Sequence, residues 1–386
     1  MRGPGVRGAL KIGVNLLWLV PGRVGGSEEY VVRTLRAFAE AEPTAVLHLF
    51  VVSGFAAAHP ELAALGTLHV VPLSGSNRIT RVVAEATWLP LKVRQSRVSV
   101  VHHSGGTAPR VGRLPIVLTI HDVQFTKYPD TFSAVKLLWL RLAVPRAIRR
   151  ARVILVPSGF VAASRDAFEP FSAQRVVLAN TAPAAASRPT RPLTMRTRYG
   201  LPGPVLVYPA ITYRHKNHRV VLEATARLLA DFPDLRLVLT GRRGPHDAEV
   251  VADISRLGLD GVVVRPGRIS AEDLDGLYEL AGALVFPSRY EGFGIPVLEA
   301  MVRGCPVIAA NTTALPEVVG DAGVLVDPDD VDAWVAAIAR VLTDDQFAAD
   351  LRRRGFAQSA AFSAPRSAQT LAGAYRGALA SADPTS

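Results

Sequence analysis

The sequence predicts an α/β protein made of two doubly wound units, each a parallel sheet with helices on both faces. Short, continuously apolar runs alternate with longer helical patterns through most of the 386 residues, as expected for strands buried on both faces. A stretch rich in proline, alanine, serine and threonine near residues 181–200 interrupts the alternation, and the pattern then restarts. The length also allows two domains, each with its own core.

Each predicted strand is an apolar run bounded by turn residues. In the first half the runs are KIGVNLLWL, VLHLFVV, LHVVPL, VSVVHH, PIVLTIHD, RVILVPS and RVVLAN, and in the second half they are PVLVYPA, LRLVLTG, GVVVRPG, ALVFPS, CPVIAA and GVLVDP. The tail from residue 332 predicts two or three helices. We place an N-terminal domain at residues 1–185, a C-terminal domain at 186–362, and a helix at 363–386 that packs back on the N-terminal domain. Two facing units of this kind would form a ligand cleft between them.

Composition excludes several classes of protein. Hydrophobic residues make up 49% and charged residues 20%, which is a globular composition. The single cysteine, Cys305, excludes an internal disulfide framework, and its surroundings in GCPVIAA predict a buried packing role. No apolar run reaches the length of a membrane-spanning helix, and residues 12–20 are better explained as a first strand than as a signal peptide. We expect a cytoplasmic protein, with peripheral contact at the inner face of the plasma membrane as an alternative.

The net charge of +11 lies entirely in the first half of the chain. Residues 1–190 contain 23 Lys and Arg against 10 Asp and Glu, whereas residues 191–386 contain 21 against 23. Such asymmetry indicates an anionic partner. The charge alone does not distinguish a membrane surface, a phosphorylated lipid and nucleic acid. The segment 136–150 combines leucines and a tryptophan with Lys136, Arg141, Arg146, Arg149 and Arg150. It is either a membrane-docking helix or an ordinary helix that buries its leucines and exposes its arginines.

Residues 288–308, SRYEGFGIPVLEAMVRGCPVI, place two glutamates around a glycine turn where a strand gives way to a helix. The N-terminus of a helix carries unpaired N–H groups and a partial positive charge that suit a diphosphate. Gly292 and Gly294 would let the backbone approach a ligand closely. Glu299 lies within the helix, where its carboxylate can accept hydrogen bonds from a ribose, and Glu291 lies nearer the group attached to the diphosphate. The alternative is a surface turn with two exposed glutamates.

The longer segment EGFGIPVLEAMVRGCPVIAANTTALPEVVGDAGVLVDP resembles the signature of the family 4 retaining glycosyltransferases, which have the GT-B fold. The resemblance implies two Rossmann-like domains that face each other across a cleft, with the acceptor on the N-terminal side and the nucleotide sugar on the C-terminal side. It implies that Glu299 binds the nucleotide ribose and that Glu291 contacts the donor sugar. The diphosphate would be held by Gly292, Phe293, Gly294 and Ile295.

Other places agree with this resemblance, and one departs from it. The glycine loop near the donor phosphate would include Gly25 and Gly26, and the strand-end histidine at the sugar would be His121. Lys216, in YRHKNHRVVLEA, would neutralise the departing diphosphate. Many relatives carry an arginine where this chain has Ala210, so the second phosphate cation is open, with Arg214 as a candidate. Base recognition would lie near Arg268 and Ile269.

The resemblance implies a retaining hexosyltransferase that needs no metal or other cofactor. Its partners would be a nucleotide sugar and a glycan or lipid-linked acceptor, with no nucleic acid. The HKN form and HDVQFTKYPD are similar to bacterial mannosyltransferases of surface-polysaccharide assembly, which favours GDP-mannose; a UDP- or dTDP-sugar donor is the alternative. Two other classes stay open at this point: a basic nucleic-acid-binding protein, and a sugar-nucleotide epimerase of the same fold.

Overall fold

The computed structural model describes residues 10–20, 25–165, 175–178, 180–183 and 188–380. The chain divides into two compact units, one comprising Met1–Ala182 and Ser363–Ser386 and the other comprising Pro183–Phe362. The predicted boundary between residues 185 and 186 lies outside the described residues.

Thirteen strands occur in the described residues, and each coincides with a run predicted from the sequence. The first unit contains β1 (Lys11–Asn15), β2 (Val46–Val52), β3 (Gly66–Val71), β4 (Val100–His103), β5 (Ile116–Thr119), β6 (Val153–Val156) and β7 (Arg175–Leu178). The second contains β8 (Val205–Pro209), β9 (Arg236–Thr240), β10 (Val263–Gly267), β11 (Ala283–Phe286), β12 (Val307–Ala310) and β13 (Val324–Val326).

The described residues also form sixteen α-helices that connect and cover these strands. In chain order they are α1 (Gly26–Ala41), α2 (Phe55–Ala58), α3 (Pro60–Ala63), α4 (Arg78–Ser96), α5 (Gln124–Lys127), α6 (Ala134–Arg150), α7 (Gly159–Arg165), α8 (Pro192–Tyr199), α9 (His218–Leu228), α10 (Asp247–Arg256), α11 (Ala271–Leu280), α12 (Ile295–Val302), α13 (Leu315–Val319), α14 (Val331–Thr343), α15 (Asp345–Ala360) and α16 (Ala364–Ala380). Within the described part of the chain, no helix is both long and apolar enough to cross a membrane.

Both sheets are wholly parallel, and they share one strand order except that the first has an additional edge strand, β7. The first runs β3-β2-β1-β4-β5-β6-β7 and the second β10-β9-β8-β11-β12-β13. In each unit the chain winds outward in one direction from the first strand and then in the other direction. The order therefore reverses between β1 and β4 in the first unit and between β8 and β11 in the second. Ligands of open parallel sheets bind beyond the carboxyl ends of the strands at such points. The predicted fold class, two Rossmann-like doubly wound units, is confirmed.

One part of the prediction was wrong. The stretch near residues 181–200 was expected to be linker, but α8 occupies its second half, while residues 184–187 lie outside the described part. Pro192 stands in the first turn of α8, where proline fits a helix well, and Gly200 follows the helix with φ +62°. Met195 is fully buried, and Arg198 forms an ion pair with Asp273. Packing within the second unit therefore overrides a composition typical of loops.

The last helix, α16, packs in the first unit although it follows the second in sequence. Its Tyr375 is fully buried, and its ring meets that of Phe38 of α1 edge-on at 5.2 Å. The Tyr375 hydroxyl lies 2.9 Å from Nδ1 of His102 at the end of β4. Arg376 donates to both carboxylate oxygens of Glu42 at 2.7 Å. These contacts join α16 to a helix and a strand that lie more than 270 residues earlier in the chain.

Tyr375→Ala is expected to lower the free energy of unfolding by about 3–5 kcal/mol, because it leaves a large cavity between α16 and α1. Tyr375→Phe keeps the packing and loses only the contact with His102, so about 1 kcal/mol is expected. Urea unfolding monitored by tryptophan fluorescence measures both. Gln369→Ala, at an exposed position of the same helix, is the control. Equal stability of Tyr375→Ala and Gln369→Ala would contradict the packing role.

Candidate active site

In the second unit, the predicted donor residues follow neighbouring strands at the carboxyl edge of the sheet. Lys216 lies in a short 3-10 turn after β8, and Glu291 lies in the loop between β11 and α12. β8 and β11 pair directly, with Leu206 opposite Ala283. Because the strand order reverses between these two strands, the two side chains lie at the place where a parallel sheet of this type binds its ligand.

Lys216 and Glu291 form an ion pair. Nζ of Lys216 lies 2.5 Å from Oε1 of Glu291, and the exposed fractions of the two side chains are 18% and 14%. The backbone carbonyl of Lys216 accepts a hydrogen bond from the Tyr208 hydroxyl at 2.6 Å, which ties the turn to β8. Nζ also lies 5.8 Å from the ring centre of Phe286, the last residue of β11. The sequence assigned these two residues to different parts of a donor, whereas the structure pairs them with each other.

A third loop supports Glu291 from the side. The Glu291 backbone N–H donates to Oγ1 of Thr313 at 3.1 Å, in the turn after β12. Thr313 has φ +56°, and positive φ is rare for a residue other than glycine and unfavourable for a β-branched one. Such backbone conformations cost about 1–3 kcal/mol and persist only where the surroundings impose them. Sequence reasoning missed Thr313, because nothing in NTTALPE marks a threonine with positive φ.

The start of α12 is the glycine turn and helix N-terminus at which the sequence predicted a diphosphate site. Gly294 precedes the helix with φ +110°, and a Cβ there would lie 2.9 Å from Cδ2 of Leu315, so only glycine fits easily. The side chain of Phe293 is buried, with its ring 5.7 Å from that of Phe362. Phe293 can therefore offer a ligand only its backbone. Ile295 is also buried, which leaves backbone N–H groups as the polar groups of this turn.

The remaining predicted donor residues of the second unit occupy separate positions near the carboxyl edge of its sheet. Glu299 lies in the second turn of α12 and is half-buried. Arg214 is exposed in the turn that contains Lys216, and Arg268 is exposed directly after β10, followed by the half-buried Ile269. These assignments stay predictions.

In the first unit, His121 follows β5 and has a defined tautomer. Its Nε2 lies 2.8 Å from the backbone carbonyl of Ser104, and since a carbonyl only accepts, Nε2 carries the proton. The ring packs edge-on against Tyr30 at 5.1 Å and lies 5.6 Å from Trp18. Burial lowers the pKa of His121 to about 4, so the imidazole is neutral near pH 7. Nδ1 is then an acceptor, suited to a hydroxyl group.

His121 lines a pocket of about 190 Å³ within the first unit. Gly25 and Gly26, at the start of α1, are exposed, and the next residue, Ser27, lines this pocket; residues 21–24 lie outside the described part. The pocket combines aromatic rings with polar groups, namely those of Trp18, Phe125, Phe132, His121, Asp122 and Lys136. Rings next to hydrogen-bonding groups suit the alternating apolar and polar faces of a sugar.

A buried polar network adjoins this pocket through Trp18, at the point where the strand order reverses in the first unit. The side-chain amide of Asn15, the last residue of β1, contacts Oε1 of Glu85 at 3.4 Å and Nδ1 of His103 at 3.2 Å. Oγ of Ser104 donates to the Asn15 carbonyl at 3.0 Å and accepts from Nε1 of Trp18 at 2.9 Å. Sequence reasoning missed this network; the only available signal was that His103 ends one predicted strand and that Asn15 is a polar residue within another.

Two family models match this chain. The model described as Glycosyltransferase Family 4 matches residues 24–179, and the model described as Glycosyl transferases group 1 matches residues 199–358. Together they span most of both units. The chain is also 34% identical over 253 residues to an O-antigen chain mannosyltransferase B of Escherichia coli, a match that covers 64% of this chain and 66% of that relative, just under two thirds of its length.

Solved structures agree on the fold. Sucrose-phosphate synthase from Thermosynechococcus elongatus superposes with a TM-score of 0.79 at 21% identity, covering 96% of this chain and 99% of that one. HepE of Anabaena, in complex with UDP-glucose, gives 0.72 at 21% identity, covering 94% and 98%. The parallel-sheet units and the matched models define a glycosyltransferase of the GT-B fold, an enzyme class that moves sugars from activated donors. The chain belongs to glycosyltransferase family 4, as the resemblance in its sequence implied.

The buried Glu85 carboxyl of this network predicts a pH dependence of the free energy of unfolding. Burial raises the pKa of Glu85 to about 7, while the Asn15 amide and Arg81 oppose this rise. Because the folded state then binds a proton that the unfolded state releases near pH 4.5, stability falls as pH rises between these values and is constant above them. Glu85→Gln removes the titration. Between about pH 5 and pH 8 the wild type should lose about 1–3 kcal/mol relative to Glu85→Gln.

Denaturant unfolding of both proteins at the two pH values measures this difference. Glu29→Gln, at an exposed position of α1, is the control and should leave the pH dependence of the wild type unchanged. A stability difference between Glu85→Gln and the wild type that does not vary with pH would contradict a Glu85 carboxyl that is protonated in the folded state.

Proposed function

We propose that this chain is a retaining glycosyltransferase that transfers mannose from GDP-mannose to a glycan or lipid-linked acceptor, without a metal ion. The observation that carries the proposal is the Lys216–Glu291 pair beside the start of α12, at the point where the strand order reverses in the second unit. The name of the Escherichia coli relative and the HKN and HDVQFTKYPD cues favour mannose. Retention of anomeric configuration follows the family resemblance. A UDP- or dTDP-sugar is the competing donor.

The proposed chemistry begins when Lys216 exchanges its partner Glu291 for the diphosphate of the donor. The diphosphate of a donor carries more negative charge than one carboxylate, so Lys216 would turn to it, and the backbone N–H groups at the start of α12 would add to its binding. The freed Glu291 carboxylate could then accept hydrogen bonds from sugar hydroxyls. As the glycosidic bond breaks, negative charge grows on the leaving diphosphate, and fixed positive groups stabilise that charge. A diphosphate oxygen would take the proton of the attacking acceptor hydroxyl.

The acceptor side of the proposal rests on the first unit. The pocket beside His121 has the rings and polar groups to hold a sugar ring, and neutral His121 offers Nδ1 to a hydroxyl. Lys136 lies 4.4 Å from the ring centre of Phe132, and burial lowers its pKa. A cation on this wall would favour acceptors that carry phosphate.

The proposed donor is tested by calorimetry with GDP-mannose and with UDP-, ADP- and dTDP-sugars. GDP-mannose is expected to bind most tightly, and transfer is expected to persist with EDTA present. Glu299→Ala should weaken donor binding about 10- to 100-fold, because a charged acceptor of ribose hydrogen bonds is lost. Glu279→Ala, at an exposed position of α11, is the control and should bind like the wild type.

Several outcomes would contradict the proposal. A clear preference for a UDP-sugar would overturn the mannose assignment but leave a glycosyltransferase. Normal transfer by folded Glu299→Ala would overturn the ribose assignment. Epimerisation of a nucleotide sugar without acceptor, or salt-dependent binding of DNA without binding of any nucleotide sugar, would point to the other classes that the sequence left open.

We also propose that α6 docks the first unit on an anionic membrane surface. α6 buries one face, including Val144 and Ile148, as an ordinary helix would. It also exposes three apolar side chains, Val135 by 81%, Leu138 by 61% and Leu142 by 49%. Exposed apolar side chains interspersed with cations are typical of helices that lie in a membrane interface. The cations that belong to this surface are Arg78 of α4, which lies 5.3 Å from the Trp139 ring, and Arg141, Arg146 and Arg149 of α6.

Co-sedimentation with vesicles that contain phosphatidylglycerol tests the docking surface. The wild type should bind these vesicles and detach at high salt, since screening weakens attraction between the cations and the lipid. The double variant Leu138→Glu/Leu142→Glu should lose most binding. Leu193→Glu/Val251→Glu changes two exposed apolar residues of the second unit and should bind normally. Absence of salt-sensitive binding by the wild type would overturn the proposal.

A further inference from the structure

The turn after β12 contacts the loop between β11 and α12 near both ends of that loop. At one end Oγ1 of Thr313 accepts from the Glu291 N–H at 3.1 Å. At the other end Leu315, which is fully buried, lies so close to Gly294 that a Cβ there would meet its Cδ2 at 2.9 Å. Since β11 and β12 are paired neighbours, the two loops leave the sheet side by side. The turn after β12 therefore supports the loop that carries Glu291 near both of its ends.

Thr313 adopts a positive φ because hydrogen bonds and burial hold the residues on either side of it. The N–H of Asn311 donates to the Val326 carbonyl of β13 at 2.7 Å, and the N–H of Leu315 donates to the Thr312 carbonyl at 3.2 Å. Ala314 is fully buried. Among the described residues other than glycine, Arg97 and Asn217 also have positive φ, but Thr313 alone is β-branched. Glycine would adopt this backbone more easily, but glycine has no hydroxyl to meet Glu291.

We propose that Thr313 is a positioning residue that holds Glu291 in place for the donor sugar, an inference that rests on the proposed function. Glu291 has two anchors, Lys216 on its carboxylate and Thr313 on its backbone. When Lys216 turns to the diphosphate, the carboxylate loses the first anchor. The hydrogen bond to Thr313 does not depend on Lys216, so it keeps the Glu291 backbone fixed while the carboxylate changes partner.

The proposal separates sugar recognition from nucleotide recognition. Thr313 contacts the residue assigned to the sugar and is not among the residues assigned to the diphosphate or the ribose. Loss of its hydroxyl should therefore weaken use of the complete donor and leave binding of the free nucleoside diphosphate unchanged. A general disturbance of the second unit would weaken both. This difference distinguishes positioning from a merely structural role.

Three variants at this position provide the test. Thr313→Val keeps the shape and removes the acceptor, so kcat/KM for the donor should fall about tenfold or more, with an unchanged Kd for GDP. Thr313→Ser keeps the hydroxyl and should stay within about twofold of the wild type. Thr313→Gly removes the hydroxyl and also the energetic cost of the positive φ, since glycine adopts this conformation readily. Tm should therefore rise or stay unchanged, while kcat/KM falls as in the valine variant.

The outcomes distinguish this inference from the proposed function. If the wild type transfers sugar and Thr313→Val matches its kcat/KM, the positioning role is wrong and the proposed function stands. If Thr313→Val loses affinity for GDP in step with kcat/KM, or if Thr313→Gly loses activity only together with Tm, the role is structural and the inference is also wrong. A wild type that binds no nucleotide sugar would overturn both.

Discussion

The parallel pairing of β8, β11 and β12 is the constraint on which the candidate donor site depends. In a sheet covered on both faces, backbone hydrogen bonds and apolar side chains occupy the interior, so polar chemistry is confined to the loops at the carboxyl edge. Adjacent strands deliver adjacent loops. Lys216 follows β8, Glu291 follows β11 and Thr313 follows β12, and these residues meet although Lys216 and Glu291 are 75 positions apart. The site therefore depends on the order of the strands, which brings these side chains together.

The Lys216–Glu291 pair shows how two charged side chains can be buried together at this edge of the sheet. Both side chains are mostly shielded from water, and an isolated charge in that position would be unfavourable. Each residue neutralises the charge of the other. The first unit differs, since His121 is neutral near pH 7 and hydrogen-bonded to the Ser104 carbonyl.

The sequence predicted every described strand and the helix that begins at Ile295, because apolar runs, glycine and proline report local backbone preferences directly. It did not predict α8, whose composition resembles a loop and whose helix depends on contacts with distant residues such as Asp273. It also missed Thr313 and Glu85. A threonine with positive φ and a buried carboxyl are set by tertiary neighbours, so neither leaves a mark in the spacing of residues along the chain.

The return of α16 to the first unit has a consequence for synthesis on the ribosome. The second unit is continuous, from Pro183 to Phe362, whereas the first needs residues from both sides of it. Translation therefore completes the second unit while the first still lacks the helix that contributes Tyr375 to its core. Until that helix emerges, the apolar face of α1 around Phe38 lacks its native cover. The earlier-made half of the protein is the last to become complete, and for that interval it is the half exposed to aggregation or in need of a chaperone.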